Sequence, residues 1–314
     1  MAQFGYQILG FGSYTSAGGP GVWSNAGGAT ISSNRIEVVV FGNASAALLC
    51  GGYPATNTVQ SWNGSSFTTL PGVSLLSANT YSAAGGGAQT DGIIIGGYRP
   101  SAATTVCEKF DGSTFETADA LTTARQIFAS AAEDKDTAWA CGGYNPSVSG
   151  SRVATHEVMR SGTWTVQSNN MLTPRYYMAA NASGSSGNGA AITGSSAGSS
   201  RDTKNEEYTY SSGSTGTWST NAAITTGLDE SPGSFGKTSA DDLVVFSGEA
   251  AGGPDGGTYE YSAGSWTTGN TAPSTNRNNY GGGPTGNGIT VGGYNETAGA
   301  YQDDAYIFTR AIST

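Results

Sequence analysis

Charge is scarce in this sequence: only 11% of its 314 residues are Asp, Glu, Lys or Arg. The 13 Lys and Arg lie scattered over the chain against 23 Asp and Glu, giving a formal charge of −10. A nucleic-acid surface needs clustered basic residues, so no nucleic-acid partner is expected. Histidine is almost missing, with His156 alone. The three cysteines Cys50, Cys107 and Cys141 cannot all pair, and two of them precede a glycine pair, where a small buried residue suits. They read as structural thiols. No apolar run approaches the roughly 20 residues of a membrane-spanning helix, so no membrane partner is expected. Residues 1–10 carry neither the basic n-region nor the continuous apolar h-region of a secretory signal.

Glycine is abundant instead, at 49 residues, with much Ser, Thr, Asn and Ala. Such a composition fits either disorder or many tight turns between short strands. Sixteen Tyr, ten Phe and six Trp favour the turns, because disordered segments are poor in aromatics. The glycines are also periodic. Cys50-Gly51-Gly52-Tyr53 is followed by Gly96-Gly97-Tyr98, Cys141-Gly142-Gly143-Tyr144 and Gly292-Gly293-Tyr294, with weakened copies at Gly194-Ser195 and Ser247-Gly248. The intervals are 45, 46, 52, 54 and 44 residues. A period of this size, each copy closing a short apolar run, marks a propeller blade of four short strands.

The units predict their own strands. After Asn34–Val40 come Ala46–Cys50, Thr58–Trp62, a turn at Asn63-Gly64 and a strand at Phe67; Asn-Gly is a strong hairpin signal because both residues tolerate positive φ. The next two units repeat the layout, whereas the fourth and fifth are degraded. The sixth reaches only Asp304–Phe308 and lacks a fourth strand. Trp23, in Gly21-Val22-Trp23-Ser24, looks like Trp164, Trp218 and Trp266 and is a fourth strand without its unit. Pairing residues 21–25 with 304–308 removes both defects and leaves no open edge. The expected fold is therefore all-β, a six-bladed β-propeller of four-stranded antiparallel blades, closed by an N-terminal strand completing the last blade. Residues 21–314 form it, and residues 1–20 are an extension.

The layout resembles the kelch-repeat family. The resemblance matches Arg35, Arg125, Arg175 and Arg277 to an arginine opening the first strand, and the glycine pairs to the end of the second. It matches Trp62, Phe110, Tyr210 and Tyr261 to a third-strand aromatic, and Trp23, Phe67, Phe115, Trp164, Trp218 and Trp266 to the fourth-strand aromatic. It covers about residues 21–310 and implies that each fourth-strand aromatic packs toward the next blade. Copper oxidases similar to galactose oxidase need two histidines, which this chain lacks. No sialidase Ser-x-Asp-x-Gly-x-x-Trp turn and no Gly-x-Ser-x-Gly is present. The carboxylate pairs Glu206-Glu207, Asp241-Asp242 and Asp303-Asp304 read as solvated turns, since neighbours on a strand face opposite ways.

Binding is therefore the expected role, without enzymatic activity, cofactor or metal. The residues after each glycine pair emerge on one rim, which nominates Tyr53, Tyr98, Arg99, Tyr144, Asn145, Tyr294 and Asn295. Tyrosine offers an apolar body and a polar tip for sugars or protein loops; the plain alternative is that these tyrosines cap the blade interior. Residues Phe4, Tyr6, Ile8, Leu9 and Phe11 make the extension an anchoring segment. An extracellular type of composition without a secretion signal is reconciled by a virion protein. The expectation is a structural protein of a bacteriophage capsid or tail, touching neighbouring virion proteins and host glycans. An extracellular carbohydrate-binding or adaptor propeller is the alternative, and a glycan-active enzyme a weaker one.

Overall fold

The structure is a computed structural model that describes residues 20–77, 82–99, 101–183, 188–197, 201–230, 232–236 and 242–310. Among these residues the chain forms six four-stranded antiparallel sheets. Sheet 1 comprises Val39–Asn43, Ala46–Cys50, Thr58–Trp62 and Phe67–Ser74. Sheet 2 has Ala84–Ala88, Asp91–Ile95, Cys107–Phe110 and Phe115–Thr117. Sheet 3 has Ala129–Asp134, Thr137–Cys141, His156–Arg160 and Thr163–Val166. Sheet 4 has Ala179–Ser183, Asn188–Ile192, Asn205–Ser212 and Thr215–Asn221. Sheet 5 has Gly233–Phe235, Asp242–Phe246, Thr258–Ser262 and Ser265–Thr268. Sheet 6 has Gly281–Gly282, Gly288–Val291, Asp304–Thr309 and, from the other end of the chain, Val22–Thr30. This arrangement is compatible with a propeller-like fold.

The expected terminal pairing is present, with Val22 opposite Thr309, Trp23 opposite Phe308 and Asn25 opposite Tyr306. Trp23 and Phe308 complete a series that recurs in every sheet. A large third-strand residue lies directly opposite the fourth-strand aromatic: Trp62 and Phe67, Phe110 and Phe115, Met159 and Trp164, Tyr208 and Trp218, Tyr261 and Trp266. Such cross-strand pairs lock register, because a slip of one residue would turn every side chain to the wrong face. Unit four departs from expectation here. Tyr208, buried, holds the third-strand position, and Tyr210 instead lies beneath Arg160, 4.0 Å from its guanidinium.

Six apolar clusters fill the spaces between consecutive sheets. Trp62 and Leu49 of sheet 1 meet Ile289 and Val291 of sheet 6, while Phe41 and Leu48 meet Ile94 and Phe110 of sheet 2. The series continues through Ile93 with Met159, Trp139 with Tyr208, Ile192 with Val245, and Phe246 with Phe308. The fourth-strand aromatics pack back toward the preceding sheet, not onward as expected. Trp218 packs on Trp139 of sheet 3, and Trp23 reaches Phe235 and Phe246 of sheet 5. The first strands also touch in succession, and that of sheet 6 touches that of sheet 1.

The glycine pair is the joint between neighbours. Gly142 and Gly143 both have positive φ, at 63° and 102°, where an L side chain is strained. A Cβ on Gly142 would come 2.8 Å from the Arg175 carbonyl, which belongs to the next unit. This close approach lets Gly143 N donate to Arg175 O at 2.8 Å. Equivalent bonds run from Gly97 to Arg125, Gly194 to Leu228, Gly248 to Asn276, and Gly293 to Arg35. The weakened copies keep the same backbone, with Thr193 at φ 59° and Ser247 at φ 58°.

The repeat arginines do not open the first strands; Arg35 lies four residues ahead of Val39. They are buried and hold the glycine joints, donating from Nη1 to Gly51 O, Gly142 O and Thr193 O at 2.9, 2.9 and 2.7 Å. In unit six the equivalent bond comes from Asn276 Nδ2 to Gly292 O at 2.9 Å. Arg277 is therefore not the repeat arginine. Glu206 is likewise no solvated turn residue: it is buried in the third strand of sheet 4, 3.4 Å from Arg175.

Candidate functional site

The lead-in to each first strand contains one non-glycine residue held at positive φ where the sheets converge. These residues are Glu37, Ser82, Ile127, Tyr177, Glu230 and Asn278, with φ between 46° and 58°. In the units whose repeat residue is described, each lies two positions after it, as Glu37 follows Arg35 and Asn278 follows Asn276. Backbone bonds of 2.9 Å join them in sequence, from Glu37 N to Asn278 O, Asn278 N to Glu230 O, Tyr177 N to Ile127 O, and Ile127 N to Ser82 O. Ser82 Oγ donates to Glu37 Oε2 at 2.7 Å. Such a backbone costs roughly 1–3 kcal/mol per strained residue and persists only where the surroundings impose it.

Outside this inner ring, in the five lead-ins where it is described, the preceding residue forms a backbone bridge with the residue after the glycine pair. Ile36 pairs with Tyr53, Gln126 with Tyr144, Tyr176 with Ser195, Asp229 with Glu249, and Arg277 with Tyr294. The rim expected from the sequence is thus a row of equivalent positions that meets the inner ring. Unit five replaces tyrosine by Glu249 there, and unit four by Ser195.

The side chains fall into an aromatic part and a charged part. Tyr53 and Tyr294 both pack edge-on against Tyr301, with ring centroids 5.8 and 5.6 Å away. Arg277 lies over Tyr294 at 5.2 Å and forms ion pairs with Glu230, Glu249 and Glu296 at 3.1, 3.0 and 2.7 Å. Arg201 joins Glu249 and reaches Asp229 at 3.5 Å. Tyr144 packs against Tyr176 at 5.5 Å, and Tyr176 against Tyr177 at 5.0 Å. Burial, reinforced by Glu230 and Glu37, pushes the Tyr177 hydroxyl pKa well up.

Five carboxylates (Glu37, Asp229, Glu230, Glu249 and Glu296) gather here against three arginines, Arg201, Arg277 and Arg152, the last 5.1 Å from the Tyr176 ring. Burial raises Glu37 to about 7, although Ser82 donates to it. Asp229 rises to about 6, again through burial and despite Arg201.

Not every nominated residue serves this face. Arg99 is spent internally, pairing at 2.7 Å with buried Glu108. Tyr98 is half-buried on a short ribbon with Ala102–Ala103. Asn145, 8% exposed, ties its own loop: Nδ2 donates to Ala124 O and Oδ1 accepts from Ser147 N, both at 2.9 Å. Asn295 does the same, accepting from Ala298 N at 2.8 Å. Phe4, Tyr6, Ile8, Leu9 and Phe11 lie outside the described residues.

Sequence reasoning missed Glu37, Tyr177, Asp229, Glu230, Glu249, Arg201 and Tyr301. Counting one residue past Gly248 would have found Glu249, and two past each repeat arginine would have found Glu37 and Tyr177. Tyr301 carries no such signal.

The space between the first strands is larger but chemically plain. A cavity of about 450 Å³ is lined by Gly42, Gly85, Gly86, Ala131, Ala180 and Gly282 among others, with no ionisable side chain. A constriction of about 40 Å³ beside Ala83, Phe128, Met178 and Tyr280 lies next to the inner ring. His156 is far from any surface chemistry. Trp139, Tyr208 and Trp218 surround it at 5.6, 4.1 and 5.3 Å, and neither ring nitrogen has a hydrogen-bond partner among the described residues. Burial depresses its pKa to about 3, helped by Arg125.

No protein-family profile matches this chain, and no curated protein does. Among solved structures it is similar to one described as "Structure of YjhT", with a TM-score of 0.70 at 9% identity. The match covers 91% of this chain and 99% of that one. A likeness at this identity concerns the fold alone.

Proposed function

We propose that this chain is a closed six-bladed propeller of kelch-like type and works as a non-enzymatic binding module. Its glycan-recognition face is the one built from the inner ring and the residues after the glycine pairs. Closure is supported by the Gly293–Arg35 bond, the succession of first-strand contacts and the shared sixth sheet. The observation that carries the binding reading is a tyrosine set, half-buried except for exposed Tyr53, beside fixed charges. Tyr53, Tyr301 and Tyr294 continue into the Arg277 carboxylate network, and Tyr144, Tyr176 and Tyr177 lead to the inner ring. Aromatic edges with polar tips next to oriented carboxylates suit sugar rings and hydroxyls. The burial of His156 and of all three cysteines in the core favours binding over catalysis.

The test is a glycan array on residues 20–314, with Tyr144→Ala and Tyr294→Ala as comparisons. Retention of a glycan class that both variants lose supports the reading. No retention at millimolar ligand sinks it.

The setting we propose is a bacteriophage particle, with residues 1–20 anchoring the propeller to neighbouring virion proteins. Its support is compositional: few lysines and abundant Gly, Ser, Thr and Asn. Deleting residues 2–20 should abolish incorporation into assembled particles; normal incorporation of the truncated chain removes the anchoring role.

A further inference from the structure

The proposed face carries more negative charge than its own cations neutralise. Arg201 and Arg277 are each held by two or more carboxylates, while Glu37, next to Asn278 in the inner ring, accepts from the Ser82 hydroxyl and forms no ion pair among the described residues. Beside it stands a buried acceptor with nothing to accept. Asn278 is 8% exposed; its Nδ2 donates to Glu230 Oε2 at 3.4 Å, and its Oδ1 has no hydrogen-bond partner among the described residues. A buried polar atom without a partner is costly, so a donor brought to it is favoured over an apolar group. The ring thus carries two carboxylates and an amide oxygen on three successively bonded lead-ins, with Tyr177 in the same ring.

A protonated primary amine matches this set. It has three N–H donors and no acceptor, whereas a hydroxyl group would satisfy at most one of the acceptors as a donor. The tyrosines nearby offer ring faces to an apolar sugar surface and to the cation. We propose that the inner ring binds the ammonium group of an amino sugar, with Glu37, Glu230 and Asn278 as its direct partners. The inference rests on the glycan-binding reading and narrows its ligand class.

The test titrates the full chain with the trimer of glucosamine and with the trimer of N-acetylglucosamine, by calorimetry at neutral pH and low salt. Acetylation removes the charge and two donors while keeping the sugar. The expected result is binding of the free-amine trimer at least tenfold tighter than the acetylated one. Glu37→Gln and, independently, Glu230→Gln should each reduce that preference by about tenfold, with thermal melts confirming that the variants fold. If one variant fails to fold, the other decides. Equal binding of the two trimers overturns the amine site and leaves glycan recognition standing. Absence of binding by either overturns both. A lysine-containing peptide binding as tightly as the free-amine trimer overturns the assignment to a sugar.

Discussion

Two residues make opposite demands on pH. His156 has a folded-state pKa depressed to about 3 from 6.5, so its contribution is fully present above pH 6.5 and is lost as pH falls toward 3. Glu37 is raised from 4.5 to about 7, so its contribution is present below pH 4.5 and is lost as pH rises through 7. Each pKa unit corresponds to about 1.4 kcal/mol. In urea unfolding from pH 7 down to 4, His156→Phe should lose markedly less stability than the parent chain, and Glu37→Gln should lose more; parallel curves for all three would refute both assignments. A third residue tests the buried joint. Arg125 is completely buried, bonded to Gly142 O, Thr155 and Glu157. Arg125→Ala takes the paired cation from buried Glu157, which keeps the Thr122 and Thr123 N–H groups, and should cost about 3–5 kcal/mol; adding Glu157→Gln, which keeps an acceptor for those groups, should return part of it. A double variant no more stable than the single one would mean that the arginine acts through the glycine joint alone.

The element that matters most is Val22–Thr30. Its pairing with Asp304–Thr309 covers what would otherwise be an exposed sheet edge, and Trp23 fixes it sideways. The indole packs on Phe235, Phe246 and Phe308 with centroids 5.0–5.8 Å apart, and Nε1 donates to Thr258 Oγ1 at 2.8 Å. Trp23→Ala should destabilise the fold by roughly 2–4 kcal/mol, somewhat less than a fully buried truncation because the ring is half-exposed. Hydrogen exchange at Phe308 and Tyr306 should speed up more than exchange in sheet 3. Uniform acceleration across all sheets would mean that the strand does not open separately. Glycine joints show the same logic within each unit, since only a residue able to hold positive φ lets the next lead-in pass close enough to bond.

For the whole molecule, the proposed closed ring makes the chain ends interchangeable. Val22 stands opposite Thr309, so a two-residue turn could carry the chain from Thr309 into Val22 as an ordinary hairpin. A permutant beginning at Ser32 and ending with that turn and residues 22–31, so that the buried Ile31 is kept, should fold with a melting temperature within a few degrees of the parent. A permutant that fails to fold would count against closure. The proposed binding face is also a property of the whole. Its inner ring takes one residue from each of six units, and its charge excess comes mainly from units five and six.

The repeat was legible in the sequence because a glycine pair at positive φ, an apolar second strand and paired aromatics are local demands that recur in most of the six sheets. Trp23 and the truncated sixth unit even revealed the terminal pairing, since an unpaired edge and an orphan strand are complementary defects. Side-chain roles that depend on an adjacent residue number were less legible: Arg277 beside Asn276, and Tyr210 beside Tyr208, differ by a step too small for a period of uneven length. The face itself was decided only by the tertiary structure. Glu37, Tyr177, Glu230 and Asn278 are far apart in the chain; the offset from a repeat arginine marks Glu37 and Tyr177, but no repeat arginine precedes Glu230 or Asn278 at that offset. They meet because the lead-ins converge, and burial at that convergence, which acts only in the folded chain, gives their charges and unpaired oxygen a chemical meaning.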